Sequence, residues 1–465
     1  MAGYETLSQL LRESFEKYGE LMFFPDMTYS AYLESMKRHH DEWAELFISG
    51  GDIIVFADEG GRSNLLNILT ALYFGHRLCL IHNRLFLDSS LEKLGIFGQV
   101  QCVSCGGITA VVRAAAGFDG ALIASTSGTT GAPNLVQHTA ANIIENIAAI
   151  EEYLCPQAGD TIYLQRNPIY LSVLTGEVLL GIDRGCRFFI PQGAADPKQL
   201  IANIRDNHIN VFVSVMSYFD MLLPMLRRNA DSLQSLRYLQ FVGEGGRIGL
   251  INDLAEILPH TDVIIGYGLT EAGPRISYMS CRQLEPKQYL VGKLVRGVKA
   301  RICGDDGMIL PVGEKGTVEL ASPSLMTGYV GCEKTGEWFR TSDYGWLDEN
   351  GLLYVQGRLD DIAIRNGVKV PLVSVEQAIM RSGMVTGVMA FVVRHHTSGM
   401  LRVEAAVTTE LSDDGFEERL MRWCRENTDP LLWPQKLYIL DSFVFRPNGK
   451  LDKAAIKSKA MGESR

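Results

Sequence analysis

The segment Ser125-Thr-Ser-Gly-Thr-Thr-Gly-Ala-Pro-Asn134 gathers five hydroxyl side chains around two glycines, directly after the apolar run Leu122 to Ser125. Glycine lets backbone N–H groups close on a phosphate, and hydroxyls add donors without charge, so this is the composition of a phosphate cradle. It is not a Walker loop, because Gly128 and Gly131 have the wrong spacing and no Gly-Lys-Ser/Thr follows. The bland alternative is a solvated Ser/Thr turn. A second segment, Gly266-Tyr267-Gly-Leu-Thr270-Glu271-Ala272-Gly273, also follows an apolar strand. There a carboxylate and a hydroxyl can hold Mg²⁺ beside phosphate oxygens and an aromatic ring can pack a base, while a simple capping role for Glu271 stays open. In the third, Trp338-Phe-Arg-Thr-Ser-Asp343 followed by Gly357-Arg358-Leu-Asp360-Asp361, an aspartate and an arginine can clamp a ribose or merely form a charged turn. The fourth, Arg446-Pro-Asn-Gly-Lys450-Leu-Asp-Lys453, presents a lysine that means little alone.

Such loops need strands to carry them. Ile53 to Ala57, Leu78 to Ile81, Leu122 to Ser125, Val211 to Val215 and Val263 to Ile265 read as short strands, and 65–73 and 141–153 have helical spacing. Strands alternating with helices predict a layered α/β domain with largely parallel sheets, which bind ligands at strand ends. Beyond about residue 285 the turns Gly304-Asp-Asp-Gly307, Val312-Gly-Glu-Lys-Gly316 and Asp348-Glu-Asn-Gly351 mark a smaller β-rich subdomain. From Asp361 onward 15 basic side chains face 13 acidic ones, whereas the whole chain of 465 residues carries a net charge of −10. That shift supports a boundary near residue 360. An acidic balance without a Lys/Arg-rich run argues against a nucleic-acid partner. No apolar stretch is long enough for a membrane span and the N-terminus lacks a secretory core, so the expected location is cytoplasmic. The cysteines, Cys102-Val-Ser-Cys105 included, read as reduced packing thiols.

In this order, and over almost the whole chain, the four segments resemble the adenylate-forming superfamily of acyl-CoA synthetases, adenylation domains and luciferases. Phe241-Val-Gly-Glu-Gly-Gly246 and Gly316-Thr-Val-Glu-Leu320 through Gly328-Tyr329 extend the match. The resemblance implies a large N-terminal domain of layered α/β sheets with a β-rich subdomain over 1–359. A small, mobile α+β lid follows over 360–465, hinged at Asp360. Carried over by position, Ser127, Gly128, Thr129, Thr130 and Gly131 would form the pyrophosphate loop, and Thr270 with Glu271 would hold phosphate and Mg²⁺. Gly243, Glu244 and Tyr267 would bracket adenine, Asp343 and Arg358 would bind the ribose, and Lys450 would contact the carboxylate and α-phosphate. The activity implied is activation of a carboxylic acid by ATP and transfer of the acyl group to a thiol, either of CoA or of a carrier protein's phosphopantetheine arm. With only 15 residues after Lys450, that thiol is expected in trans.

The chain also departs from the pattern. The loop ends Pro133-Asn134-Leu135 where relatives have Pro-Lys-Gly, Ala140 replaces a common histidine, and the post-hinge segment reads Pro371-Leu-Val-Ser374-Val-Glu376. A weakened hold on ATP is expected. Adenylation domains for α-amino acids carry an aspartate in the segment matching Asn167 to Leu174, and here none stands. Burying an uncompensated ammonium is costly, so the expected substrate is an aryl or medium aliphatic acid without an α-amino group. Tyr170, Met216, Val242, Gly266 and Ala272 are its expected pocket, with ordinary core packing the alternative for Tyr170. Two other functions stay open: a non-catalytic or regulatory adenylate-binding homologue, and a luciferase-like oxygenase that would need the same adenylation steps.

Overall fold

Ile53–Ala57 is apolar and buried at every position, as a strand covered on both faces must be. The computed structural model describes residues 3–462 apart from 59–60, 114, 116, 119, 127–132, 192–195, 244–247, 366–367, 395–400, 411–414 and 446–450. Its packing forms two compact units, Met1–Ala300 with Leu320–Phe339, and Arg301–Glu319 with Arg340–Arg465. All five strands expected from the sequence are present, as Ile53–Ala57, Arg77–Ile81, Leu122–Ser125, Ile209–Ser214 and Asp262–Tyr267.

Among the described residues the first unit holds two large sheets besides the short pair Met22–Phe24 and Met27–Thr28. One runs in the order Gly328–Tyr329, Leu135–His138, Leu122–Ser125, Arg77–Ile81, Ile53–Ala57, Ile108–Arg113, Gln99–Cys105, its three middle strands parallel. Helix Gly61–Tyr73 makes the crossover between two of them. In the other, Arg187–Phe189, Thr161–Tyr163, Ile209–Ser214, Tyr238–Val242 and Asp262–Tyr267 are parallel neighbours, followed by antiparallel Ser277–Ser280 and Leu290–Leu294. Helices Met216–Arg228 and Ile248–Ile257 lie between successive parallel strands, which is the βαβ logic of the alternating pattern. Helix Ala140–Glu151 opens with a capping box: Thr139 accepts from the Asn142 N–H at 3.2 Å while Asn142 accepts from the Thr139 N–H at 3.0 Å. Cys79 and Cys186 are buried packing thiols, while Cys102 is exposed.

The β-rich stretch expected after residue 285 is divided between the units: Leu290–Leu294 belongs to the first, and most of Gly316–Ala321 and Phe339–Leu347, with all of Leu353–Arg358, to the second. It continues into the hairpin Ile362–Arg365 and Val368–Pro371, then an antiparallel pair Gly387–Arg394 and Leu401–Thr408, joined by parallel Leu437–Ile439. Helices Leu372–Met380 and Phe416–Asn427 bury Val375, Ile379, Phe416 and Leu420 with Ala405 and Val407 of this sheet. Among the described residues no helix is long and apolar enough to cross a membrane.

A histidine pair makes the first unit sensitive to acid. The Nε2 atoms of His40 and His76 lie 3.0 Å apart, and the His40 ring stacks on Phe74 at 3.7 Å. Burial first, and His40 second, push the His76 pKa down to about 4. The unfolded chain therefore takes up this proton first. The contribution is intact above about pH 6.5 and is lost as pH falls toward 4. Urea unfolding at pH 7 and pH 5 should show His76→Gln losing less stability than the parent over that interval. The difference should stay below the ~1.4 kcal/mol per pH unit of one full proton, since the ring is partly solvated. Equal losses would remove His76 as the sensor.

Candidate active site

Three parallel strands of the first sheet end in polar side chains on one edge. After Arg77–Ile81 comes His82, whose Nδ1 lies 2.7 Å from Ser125 Oγ, and its backbone N–H donates to the same oxygen at 3.1 Å. Ser125 closes Leu122–Ser125 and opens the candidate phosphate loop. After Ile53–Ala57 comes Asp58, whose Oδ1 accepts from Asn64 at 3.2 Å and from Asn167. The Tyr170 ring packs 5.3 Å from His82. The far end of the loop is pinned as well: Thr126 N–H donates to the Asn134 carbonyl at 2.9 Å, and Lys93 Nζ donates to that of Pro133 at 2.6 Å. Ser127, Gly128, Thr129, Thr130 and Gly131 lie outside the described residues, as do Glu244 and Lys450.

The second sheet carries the other half. Strand Asp262–Tyr267 runs into Gly268, where a Cβ would stand 1.7 Å from the Pro274 carbonyl oxygen, so only glycine fits. A single 3₁₀ turn, Thr270–Ala272, follows and is closed by Gly273 at φ +81°. Backbone contacts from distant elements fix that turn. His138 Nε2 donates to the Thr270 carbonyl at 2.8 Å, and the Met326 N–H donates to that of Glu271 at 2.8 Å. Burial pushes the His138 pKa down to about 4, so its ring is neutral and the donor is Nε2–H. The Glu271 carboxylate accepts from the Tyr329 hydroxyl at 2.9 Å and, among the described residues, caps no backbone N–H.

That arrangement fits Mg²⁺ bound to a nucleotide better than a dedicated metal cage. Among the described residues there is no cluster of three or more metal-ligating side chains, and Mg²⁺ is commonly held by one or two carboxylates plus substrate phosphates. A hydrogen bond that orients a metal-binding carboxylate typically matters 10- to 100-fold. Tyr329→Phe is accordingly expected to raise the Mg²⁺ concentration needed for half-maximal adenylation by about tenfold or more. An unchanged Mg²⁺ titration would leave that hydroxyl with a packing role.

The strand register gathers several of the remaining candidates. Val242 pairs with Gly266, which sets Gly243, at φ +81°, and Tyr267 at adjacent strand ends. Ser214 pairs with Phe241, so Met216, two residues on, reaches the same edge; Met216, Val242 and Ala272 are all buried. In the second unit Asp343 and Arg358 are direct partners on antiparallel strands, one buried and the other exposed, with their side chains on the same face. The Asp343 N–H donates to Thr341 Oγ1 at 3.0 Å, and that hydroxyl donates to the Val318 carbonyl at 2.8 Å.

Comparison with known proteins now decides the family. A profile described as AMP-binding enzyme matches residues 65–330, more than half of the chain. The chain belongs to the AMP-binding enzyme family. This AMP-binding enzyme is 26% identical over 375 residues to a D-alanine–D-alanyl carrier protein ligase of Bacillus cereus strain G9842, covering 75% of the chain and 72% of the relative. Its fold matches an O-succinylbenzoate coenzyme A synthetase from Bacillus subtilis, solved with ATP and magnesium, at TM-score 0.80 and 18% identity over 96% of this chain and 99% of that one. An anthranilate coenzyme A ligase solved with anthranoyl-AMP matches at TM-score 0.81 and 16% identity, over 99% and 98% of the two chains. The layered α/β fold with a smaller C-terminal part is thus the fold of adenylate-forming enzymes.

His82, Asp58, His138 and Tyr329 were not singled out by function in the sequence. The first two carried a readable signal, a polar residue directly after a buried parallel strand. His138 carried none, since its partner lies 132 residues away, and Tyr329 stood only as part of the matched segment, its contact to Glu271 spanning 58 residues.

Proposed function

We propose that this AMP-binding enzyme is an ATP-dependent acid–thiol ligase acting on an aryl or medium aliphatic carboxylic acid without an α-amino group. The observation that carries the reading is Glu271, oriented by Tyr329 on a turn that two distant backbone contacts hold, at the edge where the parallel strands end. An oxygen of the acid attacks the α-phosphorus of ATP, the bond to the β-phosphate oxygen breaks, and pyrophosphate leaves. A thiol then attacks the carbonyl carbon of the acyl adenylate and AMP departs. The two anionic reactants repel each other, and the positive charge of Mg²⁺ offsets that repulsion.

The roles proposed for the chain's own residues follow from their chemistry. The loop from Ser127 to Gly131 would hold the β- and γ-phosphates, with Thr270 and Glu271 fixing the nucleotide's phosphates and metal. Gly243, Glu244 and Tyr267 would take the adenine, Asp343 and Arg358 the ribose hydroxyls. Lys450 would stabilise charge developing at the α-phosphorus. Residue 360 would be the hinge between an adenylating and a thiol-transferring arrangement, with 360–465 as the moving part. CoA and a carrier protein's phosphopantetheine arm present the same nucleophile, and the relatives include ligases named for each. The Bacillus cereus relative is named for an amino acid, D-alanine, but Asn167 to Leu174 here offers no carboxylate to an ammonium.

Acid-dependent ATP–pyrophosphate exchange across aryl, aliphatic and amino acids tests the reading. Exchange with free acids and none with α-amino acids is expected. Exchange with a proteinogenic or D-amino acid at ordinary concentrations overturns the substrate class, and exchange with nothing at all favours a non-catalytic nucleotide-binding protein.

A further inference from the structure

Beneath the residues proposed to line the acid pocket lies a buried polar cluster that the adenylation chemistry does not use. Arg275 is 1% exposed, Gln240 is 0% and Glu177 is 1%, a depth at which polar groups are normally all hydrogen-bonded. Here they are not. Arg275 donates to the Ser172 carbonyl at 3.4 Å and lies beside Tyr153, but among the described residues its Nε–H has no partner. Gln240 Nε2 donates to the Tyr153 hydroxyl at 3.0 Å, and its Oε1 has none. Glu177, ion-paired to Arg166, leaves Oε2 without a partner.

Local geometry brings this cluster to the pocket. Gln240 is two residues before Val242 on one strand and therefore faces the same way. A Cβ on Gly266 would stand 2.7 Å from Gln240 Nε2 and 3.1 Å from Val242 Cγ1. A Cβ on Gly176 would stand 2.9 Å from an Arg275 Nη atom. Gly176 belongs to the π-helical stretch Leu174–Leu179, a rare geometry that recurs at functional sites. Gly266, one of the residues proposed to line the pocket, thus makes room for the Gln240 amide, and Gly176 makes room for the Arg275 guanidinium.

Resting on the ligase reading above, we propose that the acid carries a hydroxyl group which Arg275 and Gln240 read. The Arg275 Nε–H needs an acceptor and Gln240 Oε1 needs a donor, and both side chains lie beside Tyr153, so one hydroxyl can serve both. An ammonium would offer donors only, to a cluster in which two guanidiniums outnumber one carboxylate. A second carboxylate would offer acceptors only, against Gln240 Oε1 and Glu177 Oε2. A site built to hydrogen-bond a hydroxyl discriminates strongly against the analogue lacking it, because the buried groups are then left unpaired.

The test measures kcat/KM for acid-dependent pyrophosphate exchange in matched series, benzoate and a medium-chain alkanoate each against their hydroxy, amino and carboxy derivatives. The hydroxy member of the active series should exceed its unsubstituted parent by ~100-fold or more. In Gln240→Leu and Arg275→Met that ratio should fall below about tenfold while the parent acid's own rate is kept or raised. Thermal melts check folding, and if Arg275→Met fails to fold then Gln240→Leu decides. Wild-type preference for the unsubstituted, amino or carboxy acid overturns the assignment, as does an unchanged ratio in folded Gln240→Leu. Exchange with no acid in any series overturns the ligase reading itself, and this assignment with it.

Discussion

Glu271→Gln is expected to slow acid-dependent pyrophosphate exchange by about two to three orders of magnitude, the usual cost of losing one preorganised electrostatic contact. Glutamine keeps the size and an acceptor for the Tyr329 hydroxyl, 2.9 Å away in the parent, but removes the negative charge with which Glu271 is proposed to hold Mg²⁺. Folding should be unaffected. The turn is held through backbone carbonyls by His138 and Met326, and neither contact involves the carboxylate. Exchange rates over a Mg²⁺ titration, with thermal melts beside them, check the prediction. An unchanged rate at limiting Mg²⁺ would return Glu271 to an ordinary structural role.

A second large effect separates the two half-reactions. Lys450→Ala should abolish most pyrophosphate exchange, again by about two to three orders of magnitude, yet still convert supplied acyl adenylate to thioester. Asp360, in the 3₁₀ turn Leu359–Asp361 that follows strand Leu353–Arg358, should behave in the reverse way when replaced by proline. Proline fixes φ and restricts a hinge to one setting. If the trapped setting is the adenylating one, exchange survives and thioester formation collapses. Both assays on both variants are needed. Equal losses in both half-reactions for each variant would leave Asp360 an ordinary linker residue.

The strands were legible because parallel strands buried on both faces need unbroken apolar runs, as Ile53–Ala57 and Leu122–Ser125 show. The glycine loops were legible for a related reason. At Gly268 nothing larger fits beside Pro274, so the motif is a steric requirement written locally. Direct pairing of Asp343 with Arg358 was foreshadowed by two strands around the turn at Asp348 to Gly351. What stayed hidden depends on contacts between distant positions. Arg275 and Gln240 were not singled out in the sequence, and only the folded chain brings both beside Tyr153. Likewise, the path of Arg301–Glu319 into the second unit and back to Leu320–Phe339 of the first follows from packing, with no local mark in the sequence.

The central claim is that the acid's own oxygen attacks the α-phosphorus. Its most direct test uses an acid active in exchange, labelled with ¹⁸O in both carboxylate oxygens, with ATP, Mg²⁺ and the thiol acceptor. After turnover, mass spectrometry of the AMP should show one ¹⁸O atom per molecule, with the other retained in the thioester. Unlabelled AMP alongside thioester product would mean that no acyl adenylate formed and would contradict the account.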